Sequence, residues 1–188
     1  MFIANIRIRN FRCFQDTTID FQPGLNVIIG ENNAGKTTVL RALMLVFDRR
    51  FRGRPAVHDF YRLLTPLDAP PAITVQVTIR SSPTDSPNDR ALVSSWLTKL
   101  DPTWEAQLTY MFFLPDQHLI DFTAAVQNVD RERFFEIVEE FLPKYVARVY
   151  AGNPATKILV DGDLLGKFDC QFLDALRDVE TEMFTGGT

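Results

Sequence analysis

The stretch Gly30-Glu31-Asn32-Asn33-Ala34-Gly35-Lys36-Thr37-Thr38 constrains this chain more than any other feature, because it fits G-x-x-x-x-G-K-[ST] at every fixed position. Such a loop has a defined setting, with a strand leading in and a helix leading out. The segment Leu25 to Ile29, apolar at every position but Asn26, runs into the loop and reads as a strand buried on both faces. Beyond it, Val39, Leu40, Leu43, Met44 and Phe47 recur at helical spacing. At ordinary residue frequencies of about 7% for Gly, 6% for Lys and 12% for Ser plus Thr, the pattern arises by chance in roughly 1% of chains this long. The flanking strand and helix make a chance match rarer still.

The residue types explain the chemistry. Gly30, Asn32, Asn33, Ala34 and Gly35 let the backbone wrap around phosphates so that successive amides point inward, and the positive end of the next helix adds its dipole. Lys36 can bridge the β- and γ-phosphates. Thr37 offers a hydroxyl ligand for magnesium, and Thr38 can meet the α-phosphate with its side chain or amide. The expected ligands are therefore ATP and Mg2+.

Twenty basic against twenty-four acidic residues leave a formal charge of -4, so no global basic field draws the chain to nucleic acid or anionic lipid. Any DNA contact must be local, and the short basic stretch Arg49, Arg50, Arg52 and Arg54 is a candidate whose simpler reading is solvated surface. An apolar fraction of 46% fits a globular protein, and no apolar run approaches the roughly 18 residues of a membrane span. A cytoplasmic location without membrane contact is expected. Cys13 and Cys170 lack metal-ligand spacing and read as reduced, buried thiols. His58 and His118 stand apart from any ligand cluster and are assigned no role.

Along the chain, Ala4, Ile6 and Ile8 alternate with polar residues as a half-buried strand, and Thr17, Ile19 and Phe21 mark a second strand ending at Pro23-Gly24. The segment from Arg54 to Pro71 reads as an extended loop, Ile73 to Ile79 as a strand, and Ser81 to Asn88 as a loop or linker. A helix is expected from about Asp89 to Leu100, a strand over Glu105 to Leu114, and a helix through Phe134, Phe135, Ile137, Val138, Phe141 and Leu142. Asp130 is the N-cap of that last helix and Pro143 its end. Lys157 to Val160 and Lys167 to Leu173 read as strands joined through Asp161-Gly162-Asp163. Phe11, Phe14, Phe134, Phe135 and Phe141 are read as core.

With these residues in view, Ile6 to Phe47 resembles the N-terminal lobe of ABC-type ATPases related to RecF and the SMC proteins. In that group a strand ending in a turn like Arg9-Asn10-Phe11-Arg12-Cys13-Phe14 precedes a second strand and G-x-N-x-x-G-K-[ST], and Asn32 falls on the asparagine. Where many members have glycine next, this chain has Asn33, and Asn32-Asn33-Ala34-Gly35-Lys36 looks most like the OLD (overcoming lysogenisation defect) nucleases and their Gabija-type relatives. Phe172 to Asp178 resembles a late segment of the same lobe. The resemblance implies a mixed α/β P-loop NTPase of ABC/SMC-head type, a P-loop core plus an antiparallel β-subdomain, with residues 1–188 forming one N-terminal lobe. It also implies a basic side chain, Arg12, near the nucleotide, head-to-head homodimers and DNA as partners of the full-length protein, and an ATP-controlled nuclease elsewhere.

An ABC-type site also needs a Walker B strand ending in Asp-Glu and a Leu-Ser-Gly-Gly-like signature. Neither appears in the sequence. Ile158-Leu159-Val160-Asp161 imitates the first, but Gly162 stands where the glutamate belongs, so turn chemistry is the better reading. Gln76 and Gln171 are candidates for a γ-phosphate-sensing glutamine. The expectation is an N-terminal fragment or truncated product that binds ATP and turns it over slowly, with no catalytic residue assigned. The alternatives are a non-hydrolysing, nucleotide-dependent scaffold and another class of P-loop NTPase.

Overall fold

Ala4, Ile6 and Ile8 alternate with Asn5, Arg7 and Arg9, and the computed structural model, which describes residues 1–48 and 55–168, forms this segment into β1 (Phe2–Phe11). The chain reverses over Arg12-Cys13, with Phe11 opposite Phe14, and returns as β2 (Phe14–Asp20). There follow α1 (Lys36–Phe47), β3 (Ile73–Arg80), α2 (Pro87–Leu92), β4 (Leu97–Lys99), β5 (Glu105–Phe113), α3 (Leu119–Ala125), α4 (Arg131–Phe141), β6 (Val146–Ala151) and α5 (Gly162–Leu165). The strands form one antiparallel sheet in the order β2-β1-β3-β5, with β4 and β6 both pairing along the far side of β5.

The register explains where the core lies. Ile6 and Ile8 stand opposite Val77 and Val75, which stand opposite Leu108 and Tyr110, so one sheet face is continuously apolar. α1 packs across β1, β3 and β5 on this face, contributing Val39, Ala42, Leu45 and Val46 to the buried cluster. Each of Val39, Leu45 and Val46 removed from water stabilises the fold by about 1.5–3 kcal/mol, which fixes the start of α1 relative to the sheet. The opposite face carries the polar row Arg7, Gln76 and Thr109. Leu40, expected on the buried stripe, is exposed. α1 is apolar nearly all round, so its burial phase is settled only by the sheet it meets.

α4 begins as expected at Asp130, whose side chain accepts the Arg133 amide at 2.8 Å, and it gives way at Leu142 to a 3-10 turn containing Pro143. Phe134 and Phe141 meet Phe122 of α3 edge-on. Several other expectations are corrected. The helix expected over Asp89 to Leu100 is only α2, after which the chain turns to bury Trp96 and pairs Leu97–Lys99 with β5. Lys157 to Val160 supplies a single bridge, Tyr150 to Leu159, while the longer β6 lies just upstream. Lys167 and Phe168 lie in a turn and bend, and the rest of the strand expected there falls outside the described residues. Cys13 is exposed rather than buried; Cys170 lies outside the described residues.

The largest correction concerns Leu25 to Ile29. This segment forms no ladder among the described residues, and Leu25, Val27 and Ile29 are 90%, 71% and 88% exposed. A strand buried on both faces needs neighbours along both edges, and no described strand lies against it.

Candidate nucleotide-binding site

The loop between Gly30 and Lys36 closes through backbone geometry that its sequence permits. Asn33 adopts φ +70 and Gly35 φ +94, both left-handed, and Ala34 N–H donates to the Glu31 carbonyl. Asparagine enters this region more readily than most residues. Gly35 is also the N-cap of α1, so no side-chain oxygen caps the helix, and no acidic residue stands in its first turn. The first-turn amides are thus left for an external anion in the positive end of the helix dipole. The Lys36 ammonium donates to the carbonyls of Gly30 and Glu31, each at 2.7 Å, which folds its charge over the mouth of the loop.

Neighbouring structure presses on the loop from one side. A Cβ on Gly35 would lie 2.7 Å from Phe14 Cζ and 2.9 Å from Cys13 Sγ, so the β1–β2 turn sits directly against it. A Cβ on Gly30 would meet that of Ala34 at 3.2 Å. The Cys13 thiol is 4.0 Å from the hydroxyl of Thr38, which is buried, whereas Thr37, expected to hold magnesium, is exposed. The Thr38 hydroxyl therefore faces the turn, leaving its amide on the ligand side. Asn32 is exposed on the loop.

Arg12 occupies that same turn at φ +53. Its amide donates to the Asp59 carbonyl at 2.7 Å, and its Nε donates to Asp59 Oδ1 at 2.8 Å. Asp59 has no recognisable sequence pattern, and its nearness to Arg12 arises only from folding.

Other candidates lie elsewhere. Gln76 alternates with Val75 and Val77 on β3, which puts it on the sheet face away from α1 and removes it as a phosphate sensor. Gln171 and Arg49, Arg50, Arg52 and Arg54 lie outside the described residues. Ile158 and Leu159 are 54% and 56% exposed, unlike a Walker B core strand, and Asp161 accepts the Asp163 amide as N-cap of α5. Asp161-Gly162-Asp163 is therefore neither the end of a Walker B strand nor the expected turn between two strands, but the cap and first residues of α5. A cleft of about 480 Å³ between Val57, Arg62 and α4 is separate from the loop. Its Arg131 is committed to the carbonyls of Arg62 and Leu64, and Arg62 lies over the Phe135 ring. Among the described residues there is no cluster of His, Cys, Asp and Glu fit to hold a metal, and no helix long and apolar enough to cross a membrane.

Comparison with known proteins adds three findings. The family model described as an AAA ATPase domain matches residues 1–148. A DNA double-strand break repair Rad50 ATPase from Methanopyrus kandleri is 49% identical over 51 residues, and a DNA replication and repair protein RecF from Limosilactobacillus reuteri is 41% identical over 46. These matches span 27% and 24% of this chain but only 6% and 12% of the relatives. A solved chain from work on ATP-driven dimerization and DNA-stimulated activation of SMC ATPases aligns over 98% of this chain and 100% of its own, at 14% identity and a TM-score of 0.39. That likeness is too loose to assign function.

Proposed function

We propose, from the premise that the chain belongs to the AAA ATPase domain family and has the P-loop NTPase fold of the ABC and SMC type, that it is the ATP-binding lobe of an OLD-like, DNA-processing or phage-defence ATPase. The observation that carries this reading is the Gly30–Thr38 loop, with its glycine N-cap, open first-turn amides and Lys36 folded across its mouth. In this role Lys36 turns from the carbonyls of Gly30 and Glu31 to the β- and γ-phosphates. The amides of Gly35 to Thr38 take the phosphate oxygens, the exposed Thr37 hydroxyl ligates Mg2+, and Arg12 approaches from the β1–β2 turn. The Asn32-Asn33 pair, with Asn33 left-handed, favours the OLD-type loop over the glycine form.

Residues 1–188 act as one lobe whose Walker B and signature groups come from another segment or subunit. Leu25 to Ile29, which joins no ladder among the described residues, supports this, since a P-loop strand is ordinarily flanked by others. The full protein is proposed to dimerise through its heads, act on DNA in the cytoplasm and couple ATP to a nuclease. Asp161, the aspartate of the Walker B-like run, is engaged as a helix cap instead, so binding without efficient turnover is expected.

Calorimetry with Mg-ATP tests the assignment. The wild-type chain should bind and a folded Lys36→Ala variant should not; undiminished affinity in that variant refutes the P-loop reading. Turnover near one per second, abolished by Lys36→Ala, contradicts the proposal that the hydrolytic groups lie elsewhere.

A further inference from the structure

The geometry points to Asp59 as a positioning residue that holds Arg12 at the triphosphate site, an inference that rests on the ATP-binding reading of the Gly30–Thr38 loop. Three contacts join the β1–β2 turn to the segment around Asp59. Arg12 N–H donates to the Asp59 carbonyl and Tyr61 N–H to the Asn10 carbonyl, which together make the antiparallel bridge between Phe11 and Phe60, and Arg12 Nε donates to Asp59 Oδ1. The same turn abuts the loop through Phe14 and Cys13 at Gly35, and through Cys13 at Thr38. Arg12 is therefore anchored on one side by Asp59 and lies one residue from a side chain in contact with the P-loop helix.

The division of donors favours positioning over mere pairing. Asp59 takes only Nε of the guanidinium, and neither Nη group is hydrogen-bonded to a described residue. A guanidinium fixed through Nε presents its two Nη groups as a preset fork, the geometry that suits phosphate oxygens. Asp59 is itself fixed, since Oδ2 accepts the Ala56 amide at 2.9 Å and its side chain is only 13% exposed. Arg12 and Asn10 both hold left-handed backbone at φ +53, a cost that the surrounding bridges sustain. Without the carboxylate, the long arginine side chain would regain rotamer freedom that ligand binding must then remove.

Mg-ATP affinity of the 188-residue chain in five forms tests this: wild type, Lys36→Ala, Arg12→Ala, Asp59→Asn and the Arg12→Ala/Asp59→Asn double variant. Asparagine keeps one oxygen for the nearby Ala56 amide but sets an amide nitrogen against Arg12 Nε, so the local cap survives and the anchor is lost. Asp59→Asn and Arg12→Ala should each weaken ATP binding about tenfold, and the double variant should be no weaker than Arg12→Ala alone. Wild-type affinity in Arg12→Ala or Asp59→Asn, losses that multiply in the double variant, or unfolding of Asp59→Asn would each overturn the positioning role. In those cases the loss of binding in Lys36→Ala leaves the P-loop reading standing. If wild type fails to bind, or Lys36→Ala binds normally, both ideas fall together.

Discussion

Gly24 and Gly35 both sit in left-handed backbone, at φ +87 and φ +94, yet they differ in what surrounds them. A Cβ at Gly24 meets nothing within 4 Å, whereas at Gly35 it strikes Phe14 and Cys13. Gly24→Ala should cost only the backbone strain, about 1 kcal/mol, while Gly35→Ala adds an overlap worth a further 1–3 kcal/mol and displaces the loop. Denaturant unfolding with parallel ATP titration checks this; equal losses in the two variants would show that close approach is unimportant. Tyr145 poses the opposite problem, a polar atom in an apolar place. Its ring packs against Phe60 and Phe112, and its hydroxyl is buried without a hydrogen-bond partner among the described residues. Burial raises its pKa above the ordinary value of 10.0. The folded state therefore keeps the proton where the unfolded chain releases it, so this contribution is intact below about pH 10 and is lost as pH rises beyond it. Tyr145→Phe should leave the thermal midpoint at pH 7 unchanged or higher, because it deletes an unsatisfied group, and should flatten the alkaline fall in stability. A destabilised phenylalanine variant would mean that the hydroxyl has a partner.

At the scale of elements, what the sequence disclosed depended on whether an element's own residues determined it. β3 and most of β1 alternate cleanly because each has one buried and one more open face, and α4 carries its own cap and stop in Asp130 and Pro143. β6 escaped notice because Val149, Tyr150 and Ala151 are all buried in succession, after the exposed Arg148, which erases the period of two. The residues after α2 look helical in isolation, but pairing of Leu97–Lys99 with β5 and burial of Trp96 outweigh that local preference. The P-loop was legible residue by residue, since its chemistry is written in contiguous positions. Asp59 was not, because it is 47 residues from Arg12 and only the tertiary bridge between Phe11 and Phe60 brings them together. The turn, the loop and the segment around Asp59 form one connected unit that no one of them specifies.

For the molecule as a whole, the feature with the widest consequence is an apolar segment with no place in the described core. Leu25, Val27 and Ile29 are exposed beside the P-loop, although the run has the composition of an interior strand. An apolar segment that joins no ladder among the described residues can template association with another chain, whether the proposed second lobe or, in its absence, a further copy of itself. The isolated chain should therefore self-associate with rising concentration. Leu25→Lys/Val27→Lys should suppress this while shifting stability by no more than about 0.5 kcal/mol, since neither side chain belongs to the buried cluster. Sedimentation velocity across a concentration series, beside thermal melts of both proteins, decides the matter. A monodisperse wild-type chain would remove the argument for an association-prone segment. A large fall in the variant's midpoint would show instead that Leu25 and Val27 support the lobe itself, so that the P-loop's leading segment is held by its own chain.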